Sequence, residues 1–182
     1  NDGVFDEKRL FTPADVHGPY VVGGVRIGTP ICEDSWHPDV AETLAETGAE
    51  ILLIPNGSPY HRGKPNLRLN LMVSRVIETG LPAIYLNAVG GQDDQLFDGA
   101  SFALNPGAEL AMQLEAFDEV IEHIDLARGP QGWNRGQRRI CRWTTATLTR
   151  PVAALWHVWG RAVGCSILAR RKASGWMCAA CA

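Results

Sequence analysis

The clearest pattern along the chain is a series of short apolar runs, separated by turn residues, between positions 20 and 124. Ile51-Leu52-Leu53-Ile54 and Ala83-Ile84-Tyr85-Leu86-Asn87 are almost continuously apolar, which is typical of strands covered on both faces. Apolar positions recur at helical spacing over 38–47 and 66–79, and a glycine follows each stretch. The pattern predicts an α/β fold in which helices pack on a sheet.

The predicted elements from residue 20 onward follow the order β-β-α-β-α-β-β-β-β. Gly23-Gly24 divides the first apolar stretch into a hairpin. A polar turn is expected over 90–94. The later strands are predicted at 101–104, 109–114 and 120–124, the last from its alternation of apolar and polar residues.

The composition changes near Gly129-Pro130. All 20 acidic residues lie at or before Asp125, whereas more than half of the 17 basic residues lie after position 128. Residues 129–182 have no clear periodicity beyond a weak helical pattern at 151–160. We therefore divide the chain into a region 1–128 and a basic tail (129–182), which we expect to be disordered or to come from a shifted reading frame. The alternative is a genuine basic arm for nucleic acid or anionic lipid.

The cysteines and the lengths of the apolar stretches limit the class of protein that the chain can be. No apolar run reaches the ~18 residues of a membrane-spanning helix, and no signal peptide is visible. Cys32 is the only cysteine before the basic tail, so no disulfide framework is expected and the cytoplasm is the predicted location. Cys178 and Cys181 have the spacing of half a zinc site, but no second pair accompanies them, so no metal is expected.

Cys32 is the leading candidate for chemistry. It ends an apolar run and is followed at once by Glu33-Asp34-Ser35, which predicts an exposed thiol on a tight turn between a strand and a helix. Backbone N–H groups at a helix start lower a thiol's pKa and can hold an oxyanion, so this placement suits a nucleophile. The alternative is a small buried hydrophobic side chain at a strand end.

A resemblance to a known family rests on a few strings in the first 128 residues. These strings resemble the glutamine amidotransferase domain of glutamine-dependent NAD⁺ synthetase, which belongs to the nitrilase (carbon–nitrogen hydrolase) superfamily. The resemblance implies part of an αββα four-layer sandwich and a Cys-Glu-Lys triad that hydrolyses the side-chain amide of L-glutamine. The strings are Gly3-Val4-Phe5-Asp6-Glu7-Lys8-Arg9, Thr29-Pro30-Ile31-Cys32-Glu33-Asp34-Ser35-Trp36, Pro55-Asn56-Gly57-Ser58-Pro59-Tyr60-His61 and Tyr85-Leu86-Asn87-Ala88-Val89-Gly90-Gly91-Gln92-Asp93.

The resemblance assigns roles to individual residues. Cys32 would be the nucleophile, and Ser58 and Lys64 would bind the backbone of glutamine. Glu33 would orient the substrate amide or the turn, or else would only favour the start of a helix. The family's catalytic Glu and Lys fall before Asn1, so the 182-residue chain is expected to be a fragment that is inactive alone.

Other polar residues are weaker candidates. Lys8 does not align with the family's lysine, and Asp2 stands where the family has a glutamine-contacting Tyr. His37 and His61 are expected at the surface or at helix ends, because the family's base is a carboxylate. Asp98 is a candidate for contact with the site, but the favoured interpretation is an acid in a turn at a strand edge.

The resemblance also implies partners. Ammonia would pass to a synthetase domain that uses ATP and Mg²⁺ to convert deamido-NAD⁺ into NAD⁺, whereas no cofactor is expected in this chain. An incomplete sandwich would leave sheet edges and apolar faces uncovered, so a homo-oligomer is expected, without nucleic acid or membrane. The alternatives are a stand-alone nitrilase-type amidase and a non-enzymatic basic interaction protein.

Overall fold

The structure is a computed structural model that describes residues 10–130, 132–135, 162–172 and 175–180. Two helices and twelve strands lie within these residues. The helices are α1 (Pro38–Glu46) and α2 (Lys64–Thr79). The strands are β1 (Tyr20–Val22), β2 (Val25–Gly28), β3 (Ile51–Asn56), β4 (Ala83–Asn87), β5 (Val89–Gln92), β6 (Gln95–Asp98), β7 (Phe102–Leu104), β8 (Leu110–Gln113), β9 (His123–Gly129), β10 (Gly132–Arg135), β11 (Ala162–Lys172) and β12 (Gly175–Ala180).

The central sheet has six strands in the order β1-β2-β3-β4-β7-β8. β2, β3 and β4 are parallel, and the outer pairs are antiparallel. Helix α1 connects β2 to β3 and α2 connects β3 to β4, which are the crossovers that parallel strands require. The predicted α/β architecture is confirmed. The carboxyl ends of the three parallel strands therefore meet at one edge of the sheet.

Both helices cover one face of this sheet. Leu44 from α1 and Met72 and Val76 from α2 pack against strand residues such as Leu52. At the end of β2, an added Cβ on Gly28 would come within 3.1 Å of Leu52 Cδ2 and 3.2 Å of Leu44 Cδ1. The absence of a side chain there lets β2 end close against α1, where the chain leaves the sheet.

The other face of the sheet is covered by the second β layer. Ile124 and Leu126 of β9 and Trp133 of β10 pack against a cluster that includes Val25 and Ile84. The expectation of an uncovered apolar face is therefore wrong within the described residues. Edge strand β1 does remain exposed, since Tyr20 and Val21 are 62% and 65% accessible. The predicted homo-oligomer stays a prediction.

Three stretches of secondary structure differ from the sequence prediction. Helix α2 begins at Lys64 rather than residue 66, because Pro65 suits a helical first turn. The polar turn predicted at 90–94 narrows to Asp93-Asp94, which joins the two strands of the hairpin β5–β6. The last predicted strand lies at 123–129 rather than 120–124, because the alternation of buried positions falls on Ile124 and Leu126.

Strands also occur in the basic tail, where the sequence predicted none. β9 pairs antiparallel with β10 and β11, and β11 pairs with β12. Strand ladders form through backbone groups and therefore do not require a periodic apolar pattern. The helix predicted at 151–160 lies outside the described residues, and the shifted reading frame stays a prediction. Within the described ranges, no helix combines the length and apolarity needed to cross a membrane.

Candidate functional site

Cys32 begins a single 3₁₀ turn, Cys32–Ser35, shortly after β2 ends. Its φ of 51° lies in the left-handed region, which costs an L-residue about 1–2 kcal/mol. The Ser35 hydroxyl donates to the Cys32 carbonyl at 2.7 Å, and the Ile31 N–H donates to the Asp34 carboxylate at 3.0 Å. Polar groups of the turn thus hold the strained backbone. The thiol is half-buried rather than exposed at a tip.

Helix α2 holds the Cys32 turn from one side through Trp36. The Lys64 ammonium lies 4.2 Å from the centre of a Trp36 ring, and the Lys64 residue is only 2% exposed. Such a cation–π contact is stronger when the cation is desolvated. About three turns further along the same buried face, Arg75 Nη1 donates to the Trp36 carbonyl at 3.5 Å. The first turn of α2 therefore fixes a cation beside the segment that follows Cys32.

Ser58 is held at the same edge of the sheet, in the loop after β3. Its N–H donates to Asn87 Oδ1 at 2.9 Å, and Asn87 Nδ2 donates back to the Ser58 carbonyl at 3.3 Å. The Asn87 N–H in turn donates to Ser101 Oγ at 2.9 Å. These bonds fix the Ser58 backbone, whereas its buried hydroxyl has no hydrogen-bond partner among the described residues.

A buried ion pair lies beneath this loop. Arg68 Nη2 of α2 contacts Asp98 Oδ1 at 2.5 Å, and the two side chains are 2% and 1% exposed. Asn87 Nδ2 also donates to Asp98 Oδ1, at 3.3 Å. The favoured interpretation of Asp98, an acid in a turn at a strand edge, is therefore wrong, because its carboxylate is buried and paired. Arg68 follows Lys64 by four residues on the same helical face, and this brings its guanidinium to the end of β6.

Tyr85 of β4 connects these groups. Its ring stacks on Phe102 with centroids 4.9 Å apart, and its buried hydroxyl has no hydrogen-bond partner in the described part of the chain. Burial raises the pKa of the Tyr85 phenol far above its usual range, and the Arg68 guanidinium only partly opposes this. Smaller effects on the same pKa come from Cys32 and Asp98, which raise it, and from the Ser58 side chain, which lowers it. Cys32, Ser58 and the ion pair thus surround one phenol.

Three of the residues predicted from the sequence lie in one region of the structure. Cys32, Ser58 and Lys64 lie at the carboxyl edge of the parallel strands, and Lys64 contacts the Cys32 turn through Trp36. Glu33 is half-buried in the turn, where its carbonyl accepts the Trp36 N–H at 2.9 Å.

Of the remaining candidates, the two histidines are exposed. His37 is exposed just before α1, and His61 is exposed with its Nδ1 3.0 Å from the Arg62 carbonyl oxygen. Asp2 and Lys8 lie outside the described residues.

Sequence reasoning missed Arg68, Tyr85 and Asn87. A signal for Arg68 was present, because Lys64, Arg68, Met72 and Val76 repeat every four residues and form one buried stripe of α2. Cations on the apolar side of a helix require a buried partner or a ligand. For Tyr85 and Asn87 the apolar run predicted the buried strand, but it did not indicate which neighbours their polar atoms face.

The fold and the site define an α/β protein with a half-buried cysteine on a strained turn, beside a buried lysine, where parallel strands end. The sequence profile of the carbon-nitrogen hydrolase family matches residues 1–131. The chain belongs to the carbon–nitrogen hydrolase family, as the four strings predicted, and its α/β structure is that of the nitrilase type.

Individual relatives extend this comparison. The glutamine-dependent NAD(+) synthetase of Rhodobacter capsulatus is 59% identical over 133 residues, which cover 73% of this chain and 24% of that protein. The solved glutamine-dependent NAD⁺ synthetase of Acinetobacter baumannii, in complex with ADP, is similar with a TM-score of 0.62 and 32% identity, over 86% of this chain and 27% of that one. The chain thus spans about a quarter of the length of the curated relatives it matches.

A smaller enzyme is also similar. It is a mutant amidase from Nesterenkonia sp. AN1, with a TM-score of 0.52 and 27% identity over 60% of this chain and 41% of that one. The acetamide moiety of fluoroacetamide is covalently attached to the active-site cysteine of that amidase.

Proposed function

We propose that residues 1–128 are part of the glutamine-hydrolysing module of a glutamine-dependent NAD⁺ synthetase, and that Cys32 is its nucleophile. The observation that carries the proposal is the Cys32 turn, whose strained φ of 51° is maintained at the carboxyl edge of the parallel strands. Similarity to the synthetases supports the substrate, and the modified cysteine of the similar amidase supports the nucleophile.

The proposed chemistry is acyl transfer through the Cys32 sulfur. A carboxylate base takes the proton of the Cys32 thiol, and the thiolate attacks the side-chain carbonyl of glutamine. The C–N bond then breaks, and the protonated base returns that proton to the nitrogen, which leaves as ammonia. Water then hydrolyses the thioester to give glutamate. The Glu33 N–H, next after the nucleophile, is proposed to stabilise the oxyanion together with an ammonium, which is worth about 10²–10³ in rate. The resemblance places the base and that ammonium before Asn1.

Ser58 and Lys64 are the proposed binding groups for the α-carboxylate of glutamine. Lys64 supplies a cation that its contact with Trp36 keeps in place, and Ser58 supplies a hydroxyl on a fixed backbone. A carboxylate that receives donors from both gains charge-assisted hydrogen bonds. The Glu33 side chain is proposed to orient the substrate amide.

The wider role is proposed from the synthetase relatives. Ammonia would be consumed in the cytoplasm by an ATP- and Mg²⁺-dependent synthetase domain that amidates deamido-NAD⁺. The proposed partners are therefore L-glutamine, that synthetase domain and a second copy of the chain.

Protection of the thiol by substrate tests the proposal. The 182-residue chain is alkylated with iodoacetamide, and the extent at Cys32 is followed by peptide mass mapping. L-glutamine is expected to slow alkylation of Cys32, D-glutamine is not, and Ser58→Ala or Lys64→Met should weaken the protection. Equal protection by both enantiomers, or none, would overturn the proposal.

The same experiment examines the stand-alone amidase alternative, which the similarity to the Nesterenkonia amidase favours. Propionamide lacks the α-carboxylate and α-amino groups of glutamine. If propionamide protects Cys32 as well as L-glutamine does, and Lys64→Met has no effect, the amidase is the better account.

A further inference from the structure

Two buried hydroxyls at the site lack hydrogen-bond partners. Tyr85 is 0% exposed and Ser58 is 4% exposed, and neither side-chain oxygen has a partner among the described residues. A buried polar group without a partner destabilises a protein and is rare in native structures. Two such hydroxyls beside a half-buried thiol therefore indicate a place where ligand atoms complete the hydrogen bonding.

The backbone brings these hydroxyls toward one another. Tyr85 and Asn87 are two apart on β4 and so point to the same side of the sheet. Asn87 holds the Ser58 backbone through both of its amide atoms, at 2.9 and 3.3 Å. The Tyr85 ring, flat against Phe102 with an interplanar angle of 9°, cannot swing away from this side.

Electrostatic interactions support the same arrangement. Burial raises the pKa of the Tyr85 phenol, so the group keeps its proton at neutral pH and can act as a donor. The Ser58 hydroxyl lowers the pKa of the Tyr85 phenol, as a donor to the ionised form does, and this effect requires the two hydroxyls to lie close together. Cys32 raises the same pKa, as a second negative charge nearby would. The charged pair next to the phenol, Arg68 and Asp98, is bonded through Asp98 Oδ1, while the buried Asp98 Oδ2 has no hydrogen-bond partner among the described residues.

We propose that Tyr85 is a positioning residue that acts through Ser58. The Tyr85 hydroxyl donates a hydrogen bond to Ser58 Oγ, and this turns the Ser58 proton toward the carboxylate of the ligand. In the unliganded structure the two hydroxyls do not meet hydrogen-bond geometry, and the bond tightens when the ligand draws the Ser58 proton. This inference rests on the proposed function of the site.

A double-mutant cycle tests the inference in the 182-residue chain. The measured quantity is the L-glutamine concentration that halves the rate of Cys32 alkylation by iodoacetamide, relative to the rate without glutamine. Tyr85→Phe keeps the ring on Phe102 and should raise this concentration about threefold to tenfold, the effect of one hydrogen bond. In a Ser58→Ala background the same substitution should have no further effect, because the group it acts through is gone.

The control is Tyr60→Phe, which removes a hydroxyl from an exposed tyrosine in the loop that holds Ser58 and should leave the concentration unchanged. A thermal midpoint for Tyr85→Phe that is no lower than that of the wild type shows that packing is intact.

If glutamine protects the wild type but Tyr85→Phe has no effect, or has the same effect with and without Ser58, the inference is overturned while the proposed function stands. A wild-type chain that glutamine does not protect overturns both.

Discussion

At the scale of single residues, the backbone of Cys32 is the most unusual feature of the site. A side chain at φ 51° is costly, and strained residues persist where the surroundings impose them, often at functional sites. In the Cys32 turn, bonds from the Ser35 hydroxyl and to the Asp34 carboxylate supply that constraint. The strained turn places Cys32 at the carboxyl edge of the parallel strands, the edge at which the loop holding Ser58 also lies.

The strain at Cys32 has a measurable consequence for stability. Glycine adopts positive φ without penalty, whereas alanine keeps the cost of the Cβ. We expect Cys32→Gly to be more stable than Cys32→Ala by about 1 kcal/mol, even though glycine also loosens the unfolded chain. Urea unfolding of the two variants measures the difference. Equal stabilities, or a more stable alanine variant, would show that the turn is not strained in solution.

Tyr85 gives a prediction for alkaline pH. Its pKa is raised in the folded state, so the folded protein retains a proton that the unfolded chain loses above about pH 10. The corresponding stability is fully present below that pH and is lost progressively as pH rises toward the folded-state pKa. Thermal midpoints of wild type and Tyr85→Phe, compared between about pH 8 and 11, should fall more steeply for wild type. If the thermal midpoints of the two proteins fall equally as the pH rises, burial does not raise the pKa of the Tyr85 phenol.

The sequence predicted part of the site at this scale. Cys32 and Ser58 each follow a strand of a parallel sheet, so their convergence could be expected from topology alone. The partner of Asp98 could not be found in this way, because an acid after a turn looks the same whether it is solvated or paired. Only the placement of Arg68 on the buried side of α2 decides between the two.

At the scale of elements, α2 carries the most site groups. Its buried stripe presents Lys64 to Trp36 and Arg68 to Asp98, while Met72 and Val76 anchor the same stripe in the core. The helix thus couples the apolar core to the polar site. A change in the packing of α2 would be expected to move both cations together.

The buried ion pair tests this coupling. Arg68→Met leaves the Asp98 carboxylate buried without its counter-charge, and we expect a loss of about 3–5 kcal/mol in the free energy of unfolding. Arg128→Met breaks the pair with Glu50, in which the arginine is 68% exposed, and should cost at most about 1 kcal/mol. Urea unfolding of both variants gives the comparison. Similar costs would contradict the burial of the Arg68–Asp98 pair.

Elements with a clear pattern of apolar positions were predictable from the sequence, and elements without such a pattern were not. Helix α1 has apolar positions at helical spacing, and β3 and β4 are almost continuously apolar. The bounds of all three were predicted to within two residues. The hairpin β5–β6 is rich in glycine and acids and forms through backbone pairing, with Asp93 at a positive φ in its turn. Local composition carries little information about such a ladder.

At the scale of the whole molecule, the sheet lies between a helical layer and a second β layer. The contact at Trp133 shows how the layers join, since its indole N–H donates to Glu50 Oε1 at 3.3 Å while its ring enters the apolar cluster. This cover could not be predicted, because β10 follows the point where the periodic pattern ends. The exposed edge at β1 is where we expect a second copy of the chain.

Activity is a property of the complete catalytic group. Members of such a group act together, so the loss of one costs nearly as much as the loss of all. Because the resemblance places the base and the ammonium before Asn1, the 182-residue chain should release no ammonia from L-glutamine above the level of Cys32→Ala. A coupled ammonia assay at millimolar glutamine makes the measurement. Turnover that Cys32→Ala abolishes would show that the 182-residue chain already contains a sufficient base.

The central claim, that Cys32 is the acylated group of a glutamine site, is tested most directly by a chloroketone analogue of glutamine. Peptide mass mapping after treatment of the 182-residue chain should find one adduct per chain, at Cys32, and L-glutamine should suppress it. An adduct spread over cysteines of the basic tail, or labelling of Cys32 that glutamine leaves unchanged, would contradict the account.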